Sequence, residues 1–321
     1  MLPGPGALTD WKEFDNKIEA FRLFQYPERE VGDPLREGAV AMALRQPDFR
    51  AIWVLEGIAH ERAARSPAGR TEILPDRTGV AIHAGMGTAL AERYLSGLGK
   101  EPGPEDIRGA IEEFAAAAKA RCRPGWEPAA LEPFGLVVRG LHPQLLRPVS
   151  EAMPSEEMRS LYWHGAGRSS YFAPTGFIPV PGAHGRMLRT AMEDAPDENA
   201  RLNMIAGLVW AGVLVNLPHP KVAASFAEAC AEHKLEAGFR NGLLSALMSW
   251  QHMAPLDGTL LRVYTSPDPP NGISRTLWKT WIAEPAARAM AEIYPGINRA
   301  GRIGQLFRYR TAEELAELAR E

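Results

Sequence analysis

The residues best suited to chemistry are three histidines and one carboxylate that accompany glycines in helical patterns: His60, His83, His164 and Glu56. Glu56 lies one helical turn from His60, so the two side chains share a face of one helix. Imidazole and carboxylate groups that converge bind zinc or iron, or exchange protons as acid and base. If the glycine segments pack together, we expect these side chains to meet as a catalytic set. The alternative is that the histidines are satisfied core or surface residues.

A second group of residues suits ligand binding: Arg168, Trp163, Tyr171 and Trp210. Aromatic side chains of this number can line a pocket for an elongated, unsaturated, apolar molecule. The Arg168 guanidinium would then anchor an anionic or carbonyl end of that molecule. Two alternatives stand beside this interpretation. The aromatic residues can simply fill the core, and Arg168 can pair with an internal carboxylate such as Glu56 or Glu92.

Helices must position these residues, and a glycine-centred helical phrase recurs at residues 37–43, 56–63, 84–91, 164–171, 206–212 and 241–248. In the last four phrases, a small residue follows the glycine by four. Positions i and i+4 lie one above the other, so each pair forms a smooth strip that another backbone can approach. Glycine inside a helix costs about 0.5–1 kcal/mol relative to alanine. Its repeated use therefore predicts close helix packing that offsets the cost.

Helix signals dominate the chain, and strand alternation is rare. Only residues 178–180 and 260–264 suggest short strands, and a capping box of Thr311 with Glu314 predicts the start of the last helix. The irregular spacing of the phrases argues against a solenoid of fixed period. We predict a mostly α fold, a compact multi-helix assembly of one domain (1–321) with glycine-mediated packing. The Gly/Pro-rich residues 175–185 suggest two related halves, 1–174 and 186–321.

Composition narrows the classes of function. The net charge of −3 argues against non-specific nucleic-acid binding, and two cysteines suit reduced thiols. The most apolar run, residues 202–217, is shorter than the ~20 residues of a membrane helix and predicts a buried core helix, with a membrane-contacting helix as the alternative. The amino terminus does not resemble a signal peptide, so we expect a cytoplasmic protein. Motifs for phosphate loops, zinc proteases and hydrolase elbows are missing, and the cofactor and any metal stay open.

Three segments resemble an uncharacterised protein family associated with enediyne polyketide biosynthesis clusters: residues 36–44 (REGAVAMAL), 82–95 (IHAGMGTALAERYL) and 163–172 (WHGAGRSSYF). Their order agrees over residues 36 to 217, and Arg168 and Ser169 stand at the family's matching places. Residues 133–143 match its mid-chain segment poorly, and the last hundred residues have no counterpart. The resemblance implies a role beside a polyketide synthase that makes a polyene-derived product. It supplies no catalytic residues.

Three functional hypotheses follow. The first is an accessory protein that binds or shields a hydrophobic polyene intermediate, or docks to its synthase. The second is a metal- or acid/base-dependent enzyme that acts on such an intermediate through clustered histidines. The third is a helical scaffold that forms homo-oligomers through exposed glycine strips. The first predicts a long apolar pocket lined by the phrase helices, and the second predicts that His60, His83 and His164 lie within a few ångströms of one another.

Overall fold

A computed structural model describes residues 5–25, 51–65, 78–177, 180–253 and 258–320. Within these ranges every regular element is helical, which confirms the mostly α prediction. The helices are α1 (Pro5–Phe24), α2 (Ala51–Arg65), α3 (Gly79–Ser96), α4 (Pro104–Arg121), α5 (Glu127–Leu131), α6 (Pro133–Leu141), α7 (Leu146–Glu151), α8 (Glu156–Tyr171), α9 (Pro174–Phe177), α10 (Ala183–Asp194), α11 (Glu198–Val215), α12 (Pro220–Glu232), α13 (Glu236–Met253), α14 (Thr259–Thr265), α15 (Arg275–Leu277), α16 (Glu284–Arg288), α17 (Tyr294–Arg299) and α18 (Ala312–Leu318). Short 3-10 turns lie at Pro143–Leu145 and Ile303–Leu306, and π turns at Trp278–Ala283 and Ala289–Ile293.

Local sequence signals set several helix starts. Ser155 accepts a hydrogen bond from the Met158 amide at the start of α8, and Asp197 caps α11 in the same way. The capping box of Thr311 with Glu314 is present at α18, as predicted. These caps satisfy amide groups that have no partner within the helix.

The strand prediction at residues 260–264 is wrong, because this segment lies in α14. Its buried residues, Leu261 and Tyr264, are three apart, which is a helical spacing and not an alternating one. Of the other suggested strand, Val180 has no regular structure, and residues 178 and 179 lie outside the described residues. The Gly/Pro-rich segment 175–185 contributes the end of α9 and the start of α10.

The glycines of the described phrases lie at close helix contacts, as the packing argument predicts. At all of them except Gly212, a Cβ atom would overlap a carbonyl oxygen of a neighbouring segment, and at Gly212 it would overlap the ring of Phe226. Two helix pairs, α6 with α8 and α8 with α11, have such a contact in both directions. In each pair, a glycine of either helix packs on the backbone of the other. The contacts join Gly57 to Phe24, Gly85 to Glu56, Gly87 to Ala130, Gly135 to Tyr162, Gly165 to Glu132, Gly167 to Met204, Gly207 to His164 and Gly242 to Ala206.

Together with the packing of α3 on α6, these contacts join α1, α2, α3, α5, α6, α8, α11 and α13 in one packed series. The described glycine strips are therefore used within the chain and do not lie open for contacts between copies. The phrase at residues 37–43 lies outside the described residues. Apolar side chains form one continuous core from Ala20 in α1 to Leu318 in α18. The division into halves 1–174 and 186–321 stays a prediction.

Helix α11 lies at the centre of this core. All of its residues from Asn203 to Val215 are buried, as predicted for the most apolar run of the chain. It packs against α8 on one side and α13 on another. Among the described residues, no helix combines the length and the apolar character that crossing a membrane requires.

Candidate functional site

A buried polar quartet lies between α2, α6 and α8. It consists of Glu56, Glu132, His164 and Arg168, of which Glu132 and His164 have no exposed surface. Arg168 donates from Nη1 to Glu132 Oε2 over 2.7 Å and from Nη2 to Glu56 Oε1 over 3.1 Å. His164 Nδ1 lies 2.8 Å from Glu132 Oε1. One carboxylate therefore joins the guanidinium to the imidazole.

The local sequence explains why these four side chains meet. His164 and Arg168 are four residues apart on α8, so they lie on one face. Glu132 precedes α6, and its carbonyl oxygen packs on Gly165. Because a side chain at Gly165 would overlap that oxygen, the glycine permits the approach that brings Glu132 to the imidazole. The sequence places Glu56 and His164 in a catalytic set and Arg168 and Trp210 in a ligand site. The structure joins the two groups through the ion pair of Arg168 with Glu56, which is the alternative interpretation of Arg168.

The charges of the quartet do not cancel when both carboxyl groups are ionised and the imidazole is neutral, because two negative groups then face one positive group. Burial raises the pKa of Glu56 by more than its ion pair with Arg168 lowers it. Burial alone lowers the pKa of Arg168, but the carboxylates of Glu132 and Glu56 outweigh it and raise that pKa. The two carboxyl groups thus share the single positive charge of Arg168. One additional proton bound within the quartet is enough to bring its net charge to zero. Glu56, whose pKa burial raises, is the carboxyl suited to hold this proton.

The outer nitrogen of His164 is set up as a base. A carboxylate only accepts hydrogen bonds, so Nδ1 must donate to Glu132, and in the neutral ring Nε2 carries a lone pair. Nε2 is buried and has no hydrogen-bond partner among the described residues, and the same holds for the buried indole nitrogen of Trp210. The rings of His164, Trp210 and Phe307 lie 5.5–6.3 Å apart, centroid to centroid, and Arg168 lies over Trp210 at 4.8 Å. An unpaired acceptor and an unpaired donor therefore adjoin one aromatic cluster.

The other two histidines do not join the quartet. His60 Nε2 pairs with Glu92 at 2.8 Å, in a half-exposed position. His83 Nδ1 bonds to the Gly79 carbonyl oxygen, and its ring stacks on Trp126 at 5.2 Å. Burial lowers the pKa of His83 to about 4, so the ring is neutral at pH 7.

The expected convergence of the histidines is therefore not seen, and helix periodicity gives the reason. Two residues along a helix turn it by about 200°. His83 thus lies on the opposite side of α3 from Gly85, the residue that packs on α2. The described residues hold no group of three or more histidine, cysteine, aspartate or glutamate side chains arranged for a metal ion.

Trp163 and Tyr171 have other roles than the pocket lining expected of them. Trp163 is fully buried and donates its indole N–H to Ser150 Oγ over 2.9 Å. Tyr171 belongs to a second buried polar cluster, which joins α1 to the core. We call this cluster the clasp and define it as Glu13, Lys17, Tyr171, His184 and Asn216.

Glu13 is the centre of the clasp. Its Oε1 receives hydrogen bonds from Tyr171 Oη at 2.9 Å and from Lys17 Nζ at 3.0 Å, and its Oε2 lies 2.9 Å from His184 Nε2. Asn216 Nδ2 donates to Tyr171 Oη over 2.7 Å. Burial alone would raise the pKa of Glu13, but the partners His184 and Lys17 outweigh it and lower that pKa to about 2.

The clasp predicts a specific loss of stability in acid. The pKa of Glu13 falls from 4.5 in the unfolded chain to about 2 in the folded one. A depressed carboxyl pKa contributes stability that is present above pH 4.5 and is lost as the pH falls towards 2. We expect Glu13→Gln to remove about 3 kcal/mol of this pH-dependent stability, measured by urea unfolding at successive pH values.

A matched control for that experiment lies on the same helix. Glu19 is partly exposed and pairs only loosely with Arg22, at 3.7 Å. Glu19→Gln should leave the acid limb of the stability curve unchanged, because exposed ion pairs contribute about 0–1 kcal/mol. Identical acid limbs in wild type and Glu13→Gln would contradict the assigned role of the clasp.

The long apolar pocket expected from the aromatic residues stays a prediction. Three cavities between described residues are small. They measure 220 Å³ between α13 and residues 309–315, 250 Å³ between α13 and residues 280–293, and 80 Å³ between α11 and residues 234–238. Pockets for drug-sized ligands usually measure ~300–1,000 Å³. The quartet lines none of these three.

Sequence reasoning missed Glu132 and the Glu13, Lys17 and His184 members of the clasp. Glu132 did carry a signal, because it is the lone charge in the apolar run of residues 128–138 (PAALEPFGLVV). A charge within an apolar run is buried only when it is paired. The clasp residues are spread over 204 positions, from Glu13 to Asn216. Only Glu13 and Lys17 are joined by a local spacing, four residues along α1.

The resemblance to the enediyne-associated family stays a prediction as well. Its segment at residues 36–44 lies outside the described residues, whereas residues 82–95 and 163–172 form most of α3 and α8. Arg168, which the resemblance singled out, is the cation of the quartet. Comparison of the chain with protein-family models, curated proteins and solved structures gives no match.

Proposed function

We propose that the protein is an acid–base enzyme that moves a proton on a small, apolar, unsaturated substrate, with His164 as the base. The observation that carries the proposal is His164 Nε2, which has no hydrogen-bond partner among the described residues, on a ring whose Nδ1 faces a carboxylate that also binds the buried Arg168. A carboxylate–histidine pair of this kind orients the ring and stabilises the imidazolium that forms. The polyene class of substrate rests on the family resemblance.

The proposed step is a proton-transfer isomerisation of a carbonyl-conjugated polyene. His164 Nε2 removes a proton from the carbon next to the conjugated system, and the C–H electron pair moves into that system to give an enolate. The Trp210 indole N–H donates to the enolate oxygen. The imidazolium then returns the proton to a different carbon, which restores neutral His164 and shifts the double bonds. No oxidant or reductant is needed.

Deuterium incorporation tests this step. The protein is incubated in D₂O with a carbonyl-conjugated polyene, and the deuterium content of the recovered polyene is measured by mass spectrometry. We expect wild type to introduce deuterium and His164→Gln to reduce the rate at least 100-fold, within the range that general-base catalysis provides. Trp210→Phe should retain binding and lose most of the rate. His142→Gln, at a helix end outside the quartet, is the control and should match wild type.

A second candidate is the accessory role of binding or shielding the polyene without chemistry. The aromatic rings of Trp210 and Phe307 around His164 favour it. Quenching of tryptophan emission by a conjugated tetraene fatty acid detects such binding. Trp11 is half exposed, so Trp11→Phe should preserve the quenching. Trp210→Phe should weaken the signal, because it removes the fluorophore next to His164 even where binding is retained. Binding with no deuterium incorporation would favour the accessory role, and absence of both would overturn both candidates.

Location and assembly belong to the same proposal. We propose a cytoplasmic protein, supported by Cys122 and Cys230, which are free thiols and not a disulfide. A polyketide synthase as partner rests on the family resemblance alone. A homo-oligomer would have to use a surface other than the described glycine strips, because these are buried within the chain.

A further inference from the structure

We propose that α1 is a lid over the Glu56 side of the quartet and that the clasp holds it shut. The purpose of this lid rests on the proposed function, since a fully buried base needs an opening to meet its substrate. The opening itself can be measured with no substrate present. Three features of α1 support the proposal: its position, its inverted polarity and the concentration of its polar contacts in one place.

The position of α1 relates it to the quartet. The carbonyl oxygen of Phe24, at the end of α1, packs on Gly57 of α2. The Phe24 ring lies 5.2 Å from the ring of His60, which shares a helix face with Glu56. Glu56 is also the most exposed member of the quartet, at 6%. The helix therefore borders the side on which the quartet comes nearest to solvent.

The polarity of α1 is inverted relative to an ordinary surface helix. Its described buried residues are Glu13, Lys17 and Ala20, which follow one another at spacings of four and three along a single face. Trp11, Ile18 and Phe21 are instead 53%, 45% and 45% exposed. A surface helix normally buries its apolar face. The fully buried part of the inner face is therefore mainly polar. The apolar contacts of α1 are made by partly exposed residues, Phe14 and Phe21, which pack on Phe177 and Phe172.

Polar attachment of this kind favours two discrete positions. A buried ion pair is lost as a unit, because removal of one partner leaves an uncompensated charge. The Glu13 carboxylate receives Lys17 from α1 itself, and Tyr171 and His184 from the core. Release of Glu13 therefore removes the two buried hydrogen bonds that it makes with the core. The hydrogen bond of Asn16 to Asn216 and the ring contacts of Phe14 and Phe21 are weaker, partly exposed attachments, and Phe24 stays at Gly57. Elements that open in this way are used to gate enclosed sites.

The test combines hydrogen–deuterium exchange with carbodiimide labelling of carboxylates in the full-length protein. We expect Glu13→Gln to raise amide exchange in α1 at least tenfold and to raise labelling of Glu56 at least fivefold. Peptides from α11 should exchange as in wild type. Tyr171→Phe removes one hydrogen bond from Glu13 and should give a smaller change of the same pattern. Glu19→Gln, on the same helix and outside the clasp, should change nothing.

Two outcomes would overturn the lid. One is faster exchange in α11 to the same degree as in α1, in both Glu13→Gln and Tyr171→Phe, which would make the clasp a general support of the fold. The other is faster exchange in α1 with Glu56 still protected, which would separate α1 from the quartet. Neither readout involves a ligand, so the two proposals are tested independently. The lid can be refuted while deuterium incorporation supports the enzyme, and the lid can be supported while deuterium incorporation is absent.

Discussion

Replacement of Arg168 by methionine should lower the free energy of unfolding by about 3–5 kcal/mol, the range for a buried ion pair that loses one partner. The variant leaves Glu56 and Glu132 buried, close together and without their cation. Protonation of the carboxyls relieves part of this cost. The loss measured by urea unfolding should therefore be larger at pH 8 than at pH 5.

Arg159→Met is a matched control on the same helix. Arg159 also joins two carboxylates, Glu156 and Asp197, but these lie at the surface. Surface ion pairs contribute about 0–1 kcal/mol each, so the control should cost no more than about 1–2 kcal/mol. Equal losses in the two arginine variants would show that the buried quartet has no special energetic role.

Replacement of Gly207 by alanine should destabilise the protein by about 3 kcal/mol, the upper part of the usual range for overpacking. The new Cβ would overlap the backbone of His164, whose carbonyl oxygen packs directly on the glycine. Backbone cannot move aside as a flexible side chain can, so α8 and α11 must separate. Urea unfolding monitored by circular dichroism measures the loss, and His164 and Arg168 would shift with α8.

Gly109→Ala should change the stability in the opposite direction. Gly109 lies in α4, and a Cβ there would meet no atom within 4 Å. Alanine should then stabilise the protein by about 0.5–1 kcal/mol through its higher helix propensity. The same chemical change should thus lower stability at one helical glycine and raise it at the other. A gain in stability at both positions would refute the close-packing account.

The sequence predicts the helical fold and its packing mode because both depend on local signals. Glycine at a helical position has an intrinsic cost, so its recurrence reports a tertiary contact that offsets this cost. Gly165 and Gly207, chosen from spacing alone, are two of the closest backbone contacts. The strand suggested at residues 260–264 fails because a five-residue apolar run carries no distinctive period.

The candidate site is predictable only in part. His164 and Arg168 share a helix face, so their association follows from spacing. Their partner Glu132 lies 32 positions before His164, and its approach depends on how α6 packs on α8. The position of His83, by contrast, does follow from spacing, because two residues turn a helix by about 200° and so separate it from the packing face of Gly85. Pairing of buried charges is a tertiary property with no fixed spacing.

The most direct test of the central claim, that His164 is a buried base held by Glu132, is nitrogen-15 NMR of its imidazole ring. His164→Gln identifies the signals by their loss. The account predicts a proton on Nδ1, which faces the carboxylate, and none on Nε2, with a change at Nε2 when a carbonyl-conjugated polyene is added. A free protein with its proton on Nε2, or an Nε2 signal that ignores the polyene, would contradict the account.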